Sequence, residues 1–201
     1  MELDKYFEKI GVEYFRYSDD ILIFAEDEKK LEEYISIFKE KIKLNKLKLN
    51  EDKVQLSKPY EPFEFLGFSY DRGVIDLSNN TKRKIKAKIK RKADALRRWQ
   101  RSKKLSEDKA AIGFIKAMNK KFYGRDKGED SEGDLTWSRW FFPNITSDKT
   151  LKEIDEYMQQ YIRYIITGRH YKGNYRVTYE QMKEWGYRSL VHEYYKTKKR
   201  G

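Results

Sequence analysis

The chain contains no cysteine, and it has only two histidines and three prolines among its 201 residues. Without cysteine, disulfides and thiolate metal sites are excluded. The histidines, His170 and His192, lie far apart in sequence, which argues against a histidine-based metal site. No apolar run approaches the roughly 18 residues of a transmembrane helix, and the N-terminus lacks the pattern of a signal peptide. We therefore predict a cytoplasmic protein with no membrane partner.

Positive charge is what the sequence has in excess. Lys and Arg number 45 against 33 Asp and Glu, which gives a net charge of +12, and charged residues (39 %) slightly outnumber hydrophobic ones (38 %). The hydrophobic core is therefore expected to be small for a chain of this length. The surface favours a polyanionic partner, because fixed positive charge raises the local concentration of anions. Aromatic residues, at 15 %, suit base stacking beside phosphate contacts, although most such rings pack in a core.

Two adjacent carboxylates, Asp19 and Asp20, lie between two short apolar segments at residues 13–17 and 21–25. Asp is disfavoured in strands and favoured in turns, so the pattern predicts a β-hairpin with the acidic pair at its tip. Adjacent carboxylates repel each other unless a cation neutralises them, and Mg²⁺ prefers carboxylate oxygens. The pair indicates either a metal site for phosphoryl transfer or an ordinary solvated turn.

Three motifs in order resemble the palm of reverse transcriptases. Residues 17–20, Tyr-Ser-Asp-Asp, are similar to the Tyr-x-Asp-Asp turn; residues 47–53 resemble the strand and lysine that follow it. Residues 63–68 resemble the Leu-Gly-Phe/Tyr hairpin called the primer grip. The resemblance is clear over residues 13–70 and is that of the C-terminal half of a bacterial enzyme of the group II intron, retron or diversity-generating kind. It implies an RNA-directed DNA polymerase, a nucleotidyltransferase of mobile elements.

The resemblance also implies roles for individual residues. Asp19 would bind both catalytic Mg²⁺ ions, for which Mn²⁺ can substitute, and Asp20 would support it electrostatically. Tyr17 would lie near the primer end. Lys53 would donate a proton to the leaving pyrophosphate, which requires a site that tunes its pKa; a plain exposed lysine is the alternative. The residues implied to hold the primer are Phe65, Leu66, Gly67 and Phe68, and aromatic packing in a bulged strand is the alternative for the two phenylalanines.

Residues 82–104 carry thirteen Lys or Arg and a single acidic residue, Asp94. Apolar residues at three- and four-residue spacing predict a helix with one buried face that includes Trp99. The unbalanced charge suggests phosphates as counter-ions, because the gain from counter-ion release grows with the number of phosphates neutralised. A solvated basic face is the alternative. The predicted nucleic-acid contacts are Lys82, Lys86, Lys90, Arg97, Arg98 and Arg101.

The periodicity as a whole predicts an α+β chain. A partial polymerase palm of antiparallel hairpins and one packed helix would span residues 1–77. A basic, all-helical thumb with a C-terminal tail would follow over residues 78–201. Within these parts we predict short strands at 46–50 and 53–57, a turn at 71–73, a mobile loop at 123–134 and core aromatics at 135–143.

In the family, a further Asp from an earlier palm strand completes the two-metal site, whereas only 16 residues precede Tyr17 here. The chain is therefore expected to be truncated, split or degenerate, and inactive without a separate chain that supplies the fingers. Its partners would be an RNA template, a DNA primer and deoxynucleoside triphosphates. Two alternatives stay open: a non-catalytic nucleic-acid-binding remnant or accessory subunit, and a structural or antiphage subunit that binds protein.

Overall fold

A computed structural model describes residues 2–124, 136–170 and 176–199. The chain packs as two compact units, Met1–Leu66 and Gly67–Gly201. Strands and helices occur in both, which confirms the predicted α+β class. The assignment of residues 1–77 to a palm and 78–201 to a thumb stays a prediction. From residue 125 onward, the predicted loop at 123–134 lies outside the described residues.

The first unit begins with a helix that leads into a hairpin. Its elements are α1 (Glu2–Lys9), β1 (Tyr14–Tyr17), β2 (Asp20–Ile23), α2 (Glu28–Leu44), a 3₁₀ helix (Glu51–Lys53) and β3 (Phe63–Phe65). The pairing of β1 with β2 is antiparallel, which confirms the predicted hairpin. Helix α2 begins after Asp27, whose carboxylate accepts a hydrogen bond from the backbone N–H of Lys30 at 2.7 Å. This N-cap satisfies one of the free donors of the first turn.

The core of the first unit forms between α1 and α2. Leu3 and Phe7 of α1 are buried together with Phe38 and Ile42 of α2. The hairpin joins this core through Tyr14, whose ring stacks on that of Phe7 with centroids 4.9 Å apart. Helix α1 and the hairpin therefore share one small apolar cluster, which fixes the strand that leads into the acidic turn.

The two strands predicted at 46–50 and 53–57 are wrong. The 3₁₀ helix Glu51–Lys53 lies between them, and residues 47–50 and 54–58 have no regular structure. Leu47 and Leu56 are 54 % and 67 % exposed. Apolar alternation produces a strand only where a neighbour takes the backbone hydrogen bonds and a surface buries one face. Among the described residues no strand pairs with this segment, and Leu49 alone of it packs against the core of the first unit.

The second unit is a hairpin followed by helices. Its elements are β4 (Phe68–Asp71), β5 (Val74–Leu77), α3 (Asn79–Lys103), α4 (Glu107–Tyr123), α5 (Trp137–Phe141), α6 (Lys149–Thr167), α7 (Tyr179–Glu184) and α8 (Leu190–Lys198). Strands β4 and β5 pair antiparallel. At their turn Arg72 and Gly73 have φ values of 47° and 83°, as in the primed turns that suit two-residue hairpins. The turn predicted at 71–73 is confirmed.

Helix α3 buries the face that its periodicity predicts, and it packs against α4 and α6. Helix α3 contributes Ile85, Ile89 and Ala93, and the aromatic residues Phe141 and Phe142 are buried as expected. One expectation for α3 is wrong. Trp99, placed on the buried face by its spacing, is 45 % exposed and lies about one turn before the helix ends. None of the helices in the described ranges is long and apolar enough to cross a bilayer.

Candidate metal and nucleic-acid sites

The turn between β1 and β2 presents the two predicted carboxylates to solvent. Its two central residues are Ser18 and Asp19, and Ser18 has φ 58°, a value found in the primed turns of two-residue hairpins. Asp20 is the first residue of β2 and pairs with Tyr17, which is 56 % exposed. Asp19 and Asp20 are both exposed. The hairpin thus brings Tyr17, Asp19 and Asp20 together at one tip.

A hydrogen-bond network joins this turn to α1. The carboxylate of Asp4 accepts from Arg16 Nε at 2.8 Å, from Arg16 Nη2 at 2.9 Å and from the Tyr14 hydroxyl at 3.1 Å. Arg16 Nη1 also donates to the carbonyl oxygen of Ser18 at 3.1 Å, within the turn itself. A bidentate pair of this kind is geometrically specific. Asp4 therefore orients Arg16, and Arg16 holds the backbone of the acidic turn.

The network also changes the ionisation of its members. The hydrogen bond from Arg16 holds the pKa of Asp4 well below its ordinary value. Burial and the hydrogen bond to Asp4 raise the pKa of Tyr14 to about 12. No sequence pattern predicts this network, because Asp4 is twelve residues from Arg16 and no motif links a helical acid to a strand arginine.

Lys53 lies at the end of the 3₁₀ helix, with its side chain exposed. Its backbone N–H donates to the carbonyl of Asn50 at 3.0 Å. Among the described residues, no hydrogen bond or ion pair connects the Lys53 ammonium to Asp19 or Asp20. The structure therefore does not join Lys53 to the turn, and its role as a proton donor stays a prediction.

Phe65 and Leu66 are the last two residues of the first unit. Phe65 is the last residue of β3 and is half-buried. Leu66 has φ 51°, in the left-handed region that a residue with a Cβ seldom occupies. Local strain of this kind often marks positions that a function requires, and the implied contact of both residues with a primer stays a prediction.

Gly67 is tightly packed at the start of the second unit. It has φ 85°, and a Cβ atom there would lie 2.9 Å from Thr81 Oγ1 and 3.5 Å from the Phe141 ring. Thr81 Oγ1 donates to the Gly67 carbonyl at 2.9 Å. Phe68 is buried, with its ring centroid 5.1 Å from that of Phe141. The position therefore needs glycine for its conformation and for space, and Phe68 packs in the core.

Half of the basic residues predicted to contact nucleic acid have partners inside the protein. Lys82 and Lys86 both form ion pairs with Glu153 of α6, at 3.1 and 3.5 Å. Arg97 Nη1 donates to the carbonyl of Tyr164 at 2.7 Å, in the last turn of α6. The same carbonyl accepts the backbone N–H of Gly168 at 2.8 Å, and a cation at this end of a helix also interacts favourably with the helix dipole. These three residues therefore help to attach α3 to α6.

The other three predicted residues, Lys90, Arg98 and Arg101, are exposed. At 3.6 residues per turn they share one face of α3 with Arg83 and Arg91, which are also exposed. We call these five residues the basic face of α3. Five exposed cations on one helix face favour a polyanionic ligand, because each phosphate that they neutralise releases counter-ions. This face is the candidate nucleic-acid surface.

Residues 2–70 match the family model described as reverse transcriptase (RNA-dependent DNA polymerase). This segment is similar to a reverse transcriptase domain. The match covers about a third of the chain and includes both the acidic turn and residues 63–68. No curated protein matches the chain. The match thus supports the resemblance to a reverse transcriptase domain over residues 2–70, whereas the bacterial type and the division into palm and thumb stay predictions.

The acidic turn between β1 and β2 is the candidate metal site of the matched segment. Within residues 2–124, 136–170 and 176–199, no three Asp, Glu, His or Cys side chains are arranged to hold a metal ion. The turn offers two exposed, adjacent carboxylates, Asp19 and Asp20. Mg²⁺ is commonly held by one or two carboxylates together with substrate phosphates and water. The two carboxylates are therefore of the type that Mg²⁺ prefers, and metal binding at the turn stays a prediction.

Proposed function

We propose that the chain is the palm and thumb portion of a bacterial RNA-directed DNA polymerase that holds a template–primer duplex. Asp19 and Asp20 carry its metal site. The observation that supports the proposal is the match over residues 2–70, because it includes Tyr-Ser-Asp-Asp at the exposed tip of a hairpin. A domain of this family generally binds template, primer and nucleotide. The net charge of +12 suits such negatively charged ligands.

In this proposal each part of the chain has a separate task. A bound Mg²⁺ supplies Lewis-acid stabilisation of phosphoryl oxygens. Asp19 and Asp20 hold it, and Arg16 fixes the turn by its hydrogen bond to Ser18. The basic face of α3 holds backbone phosphates. In this proposal a separate chain that carries the fingers and the first palm strands supplies the remaining carboxylate.

Metal binding can be tested on the chain alone. In the presence of a deoxynucleoside triphosphate, Mn²⁺ should broaden the amide NMR signals of residues 17–21, because the paramagnetic ion sits beside the turn carboxylates. Asp19→Asn should remove most of this broadening. Glu26→Gln, which neutralises another exposed acid of the same unit, should leave it unchanged. Broadening that persists in Asp19→Asn would place the metal elsewhere.

Activity requires the complementing chain. Primer extension on an RNA template should appear when the protein is mixed with a fingers-and-palm polypeptide. Asp19→Asn should reduce it by more than the 10- to roughly 100-fold that loss of an outer-shell partner costs. Asp20→Asn should reduce it less. Extension that is equal in wild type and Asp19→Asn would refute the assignment of the turn as the active site.

A second candidate is a nucleic-acid-binding protein without catalysis. The exposed cations of the basic face of α3 favour it, because phosphate binding at that face needs no metal site. In that case duplex binding would be retained, while neither Mn²⁺ broadening at the turn nor complemented extension would appear. The two candidates therefore give opposite results in the same two measurements.

A further inference from the structure

A cavity of about 180 Å³ in the second unit combines lysines with aromatic rings. Lys84 and Lys88 line it from α3, and Lys121 lines it from the last turn of α4. Trp137 and Phe141 of α5 supply an apolar wall. We call it the lysine cavity, after Lys84, Lys88 and Lys121. None of these three lysines belongs to the basic face of α3.

Among the described residues, the lysine cavity contains positive charge without an acidic partner. In the described part of the chain, none of its three lysines forms an ion pair, whereas Lys82 and Lys86 on another face of α3 share Glu153. Lys121 is half-buried. Burial, together with the neighbouring Lys88 ammonium, holds the pKa of Lys121 below its ordinary value. Like charges held together beside an apolar wall destabilise a fold, and a bound anion would remove that repulsion.

The surroundings of the cavity indicate where such an anion comes from. Thr81 and Phe141, which line the cavity, are also the residues against which Gly67 packs. The cavity thus adjoins the glycine of the predicted primer grip. On its other side, Lys84 and Lys88 belong to the same helix as the basic face. A polyanion lying along α3 toward Gly67 would therefore pass the cavity. A small free anion would occupy the cavity alone, so the neighbouring basic residues and Gly67 would play no part in its binding.

We propose that the lysine cavity binds one backbone phosphate of a nucleic-acid strand. The proposal rests on the function proposed above and adds a defined contact to it. Lys88 and Lys121 hold the phosphate oxygens, and Lys84 closes the site from the preceding turn of α3. Trp137 offers a ring against which the adjoining sugar or base packs, as aromatic side chains do in proteins that bind single strands.

The test compares two double variants that remove equal charge from the same two helices. Lys88→Gln/Lys121→Gln alters the cavity, and Lys92→Gln/Lys116→Gln alters exposed lysines of α3 and α4. Binding of a short RNA–DNA duplex is measured by fluorescence anisotropy over a range of salt concentrations. The cavity variant should bind several-fold more weakly and lower the salt slope by about one, the value for one phosphate contact. Equal effects of the two variants would overturn the proposal.

Stability without ligand provides an independent readout. Lys121→Gln removes a like-charge contact, so its melting temperature should rise by about 1–2 °C, while Lys116→Gln should melt as wild type. A site shaped for a ligand often costs stability in this way. A lower melting temperature for Lys121→Gln would mean that another group of the chain already neutralises the lysines, and it would overturn the site.

The emission of Trp137 separates a strand from a free anion. The chain has four tryptophans, so the contribution of this one is obtained by difference from Trp137→Phe. A duplex should change it, whereas millimolar inorganic phosphate should not. A response to inorganic phosphate alone would overturn the assignment to a strand. If wild type binds duplex and both double variants bind alike, the cavity proposal fails while the proposed function stands; if wild type binds no nucleic acid, both fail.

Discussion

At the scale of single residues, Asp4 is expected to determine how well the acidic turn is held. Its pKa is depressed in the folded state by the hydrogen bond from Arg16. Its stabilising contribution is therefore present above the unfolded pKa of about 3.9 and is lost as the pH falls below that value. Asp4→Asn should lower the free energy of unfolding at neutral pH, and the difference from wild type should shrink below about pH 4.

Urea denaturation across this pH range measures the effect. Glu8→Gln, at an exposed acid of the same helix, serves as the control and should show little change. A difference between Asp4→Asn and wild type that is constant with pH would argue against an ionic role for Asp4. If the network positions the turn, Asp4→Asn should also weaken the Mn²⁺ broadening at residues 17–21, although Asp4 is not a proposed ligand.

Gly67 and Gly73 form a matched pair of positions. Both have positive φ values, 85° and 83°. A Cβ atom at Gly67 would lie 2.9 Å from Thr81 Oγ1, whereas one at Gly73 would meet nothing within 4 Å. Alanine at either position should cost about 1–2 kcal/mol through its left-handed backbone. Gly67→Ala should cost clearly more in urea denaturation, because Thr81 must move. An equal loss of unfolding free energy in the two variants would mean that Thr81 moves aside without cost.

At the scale of secondary-structure elements, the buried carboxylate of Asp155 joins α6 to the start of α8. It is 6 % exposed and accepts hydrogen bonds from the hydroxyls of Tyr187 at 2.8 Å and Ser189 at 2.6 Å. It also accepts from the backbone N–H groups of Leu190 at 2.8 Å and Val191 at 3.0 Å. Four donors satisfy the charge, and the N-terminal end of α8 favours it.

Replacing one carboxylate oxygen of Asp155 by an amide NH₂ group should weaken the connection between α6 and α8. Asp155→Asn leaves at least one buried donor without an acceptor, which should lower the free energy of unfolding by about 1–3 kcal/mol. Amide hydrogen exchange of Leu190 and Val191 should become faster. The neighbouring exposed acid Glu156 provides the control Glu156→Gln. Unchanged exchange at α8 in Asp155→Asn would show that other contacts hold this helix.

At the scale of the whole molecule, the net charge of +12 should make duplex binding strongly dependent on salt. Log affinity should fall linearly with log salt concentration, since each phosphate contact releases counter-ions. Reversing Lys90, Arg98 and Arg101 to Glu should abolish most binding. Lys82→Gln with Lys86→Gln should chiefly alter stability, because both lysines pair with Glu153. Anisotropy titrations measure the first effect and thermal unfolding the second. Binding unaffected by the triple reversal would exclude the basic face of α3.

Local sequence was sufficient for several elements of this protein. The hairpin around Asp19 and the turn at Arg72–Gly73 follow from residues that favour turns between apolar segments. Helices α2 and α3 follow from apolar spacing and from caps such as Asp27. These features depend on interactions within a few residues of the chain. The strands predicted at 46–50 and 53–57 failed because a strand depends on a distant partner, which its own sequence does not specify.

The sequence by itself therefore determined the acidic turn, the course of the helices and the charge of α3. Only the tertiary structure decided which of the charged side chains have partners inside the protein. Packing of α6 against α3 gives Lys82 and Lys86 a shared acid, Glu153. Packing of α4 places Lys121 beside Lys88, and in the described ranges no acid pairs with either. The physical reason is range: turn and helix preferences act between near neighbours in the chain, whereas charge pairing and burial depend on which distant segments meet.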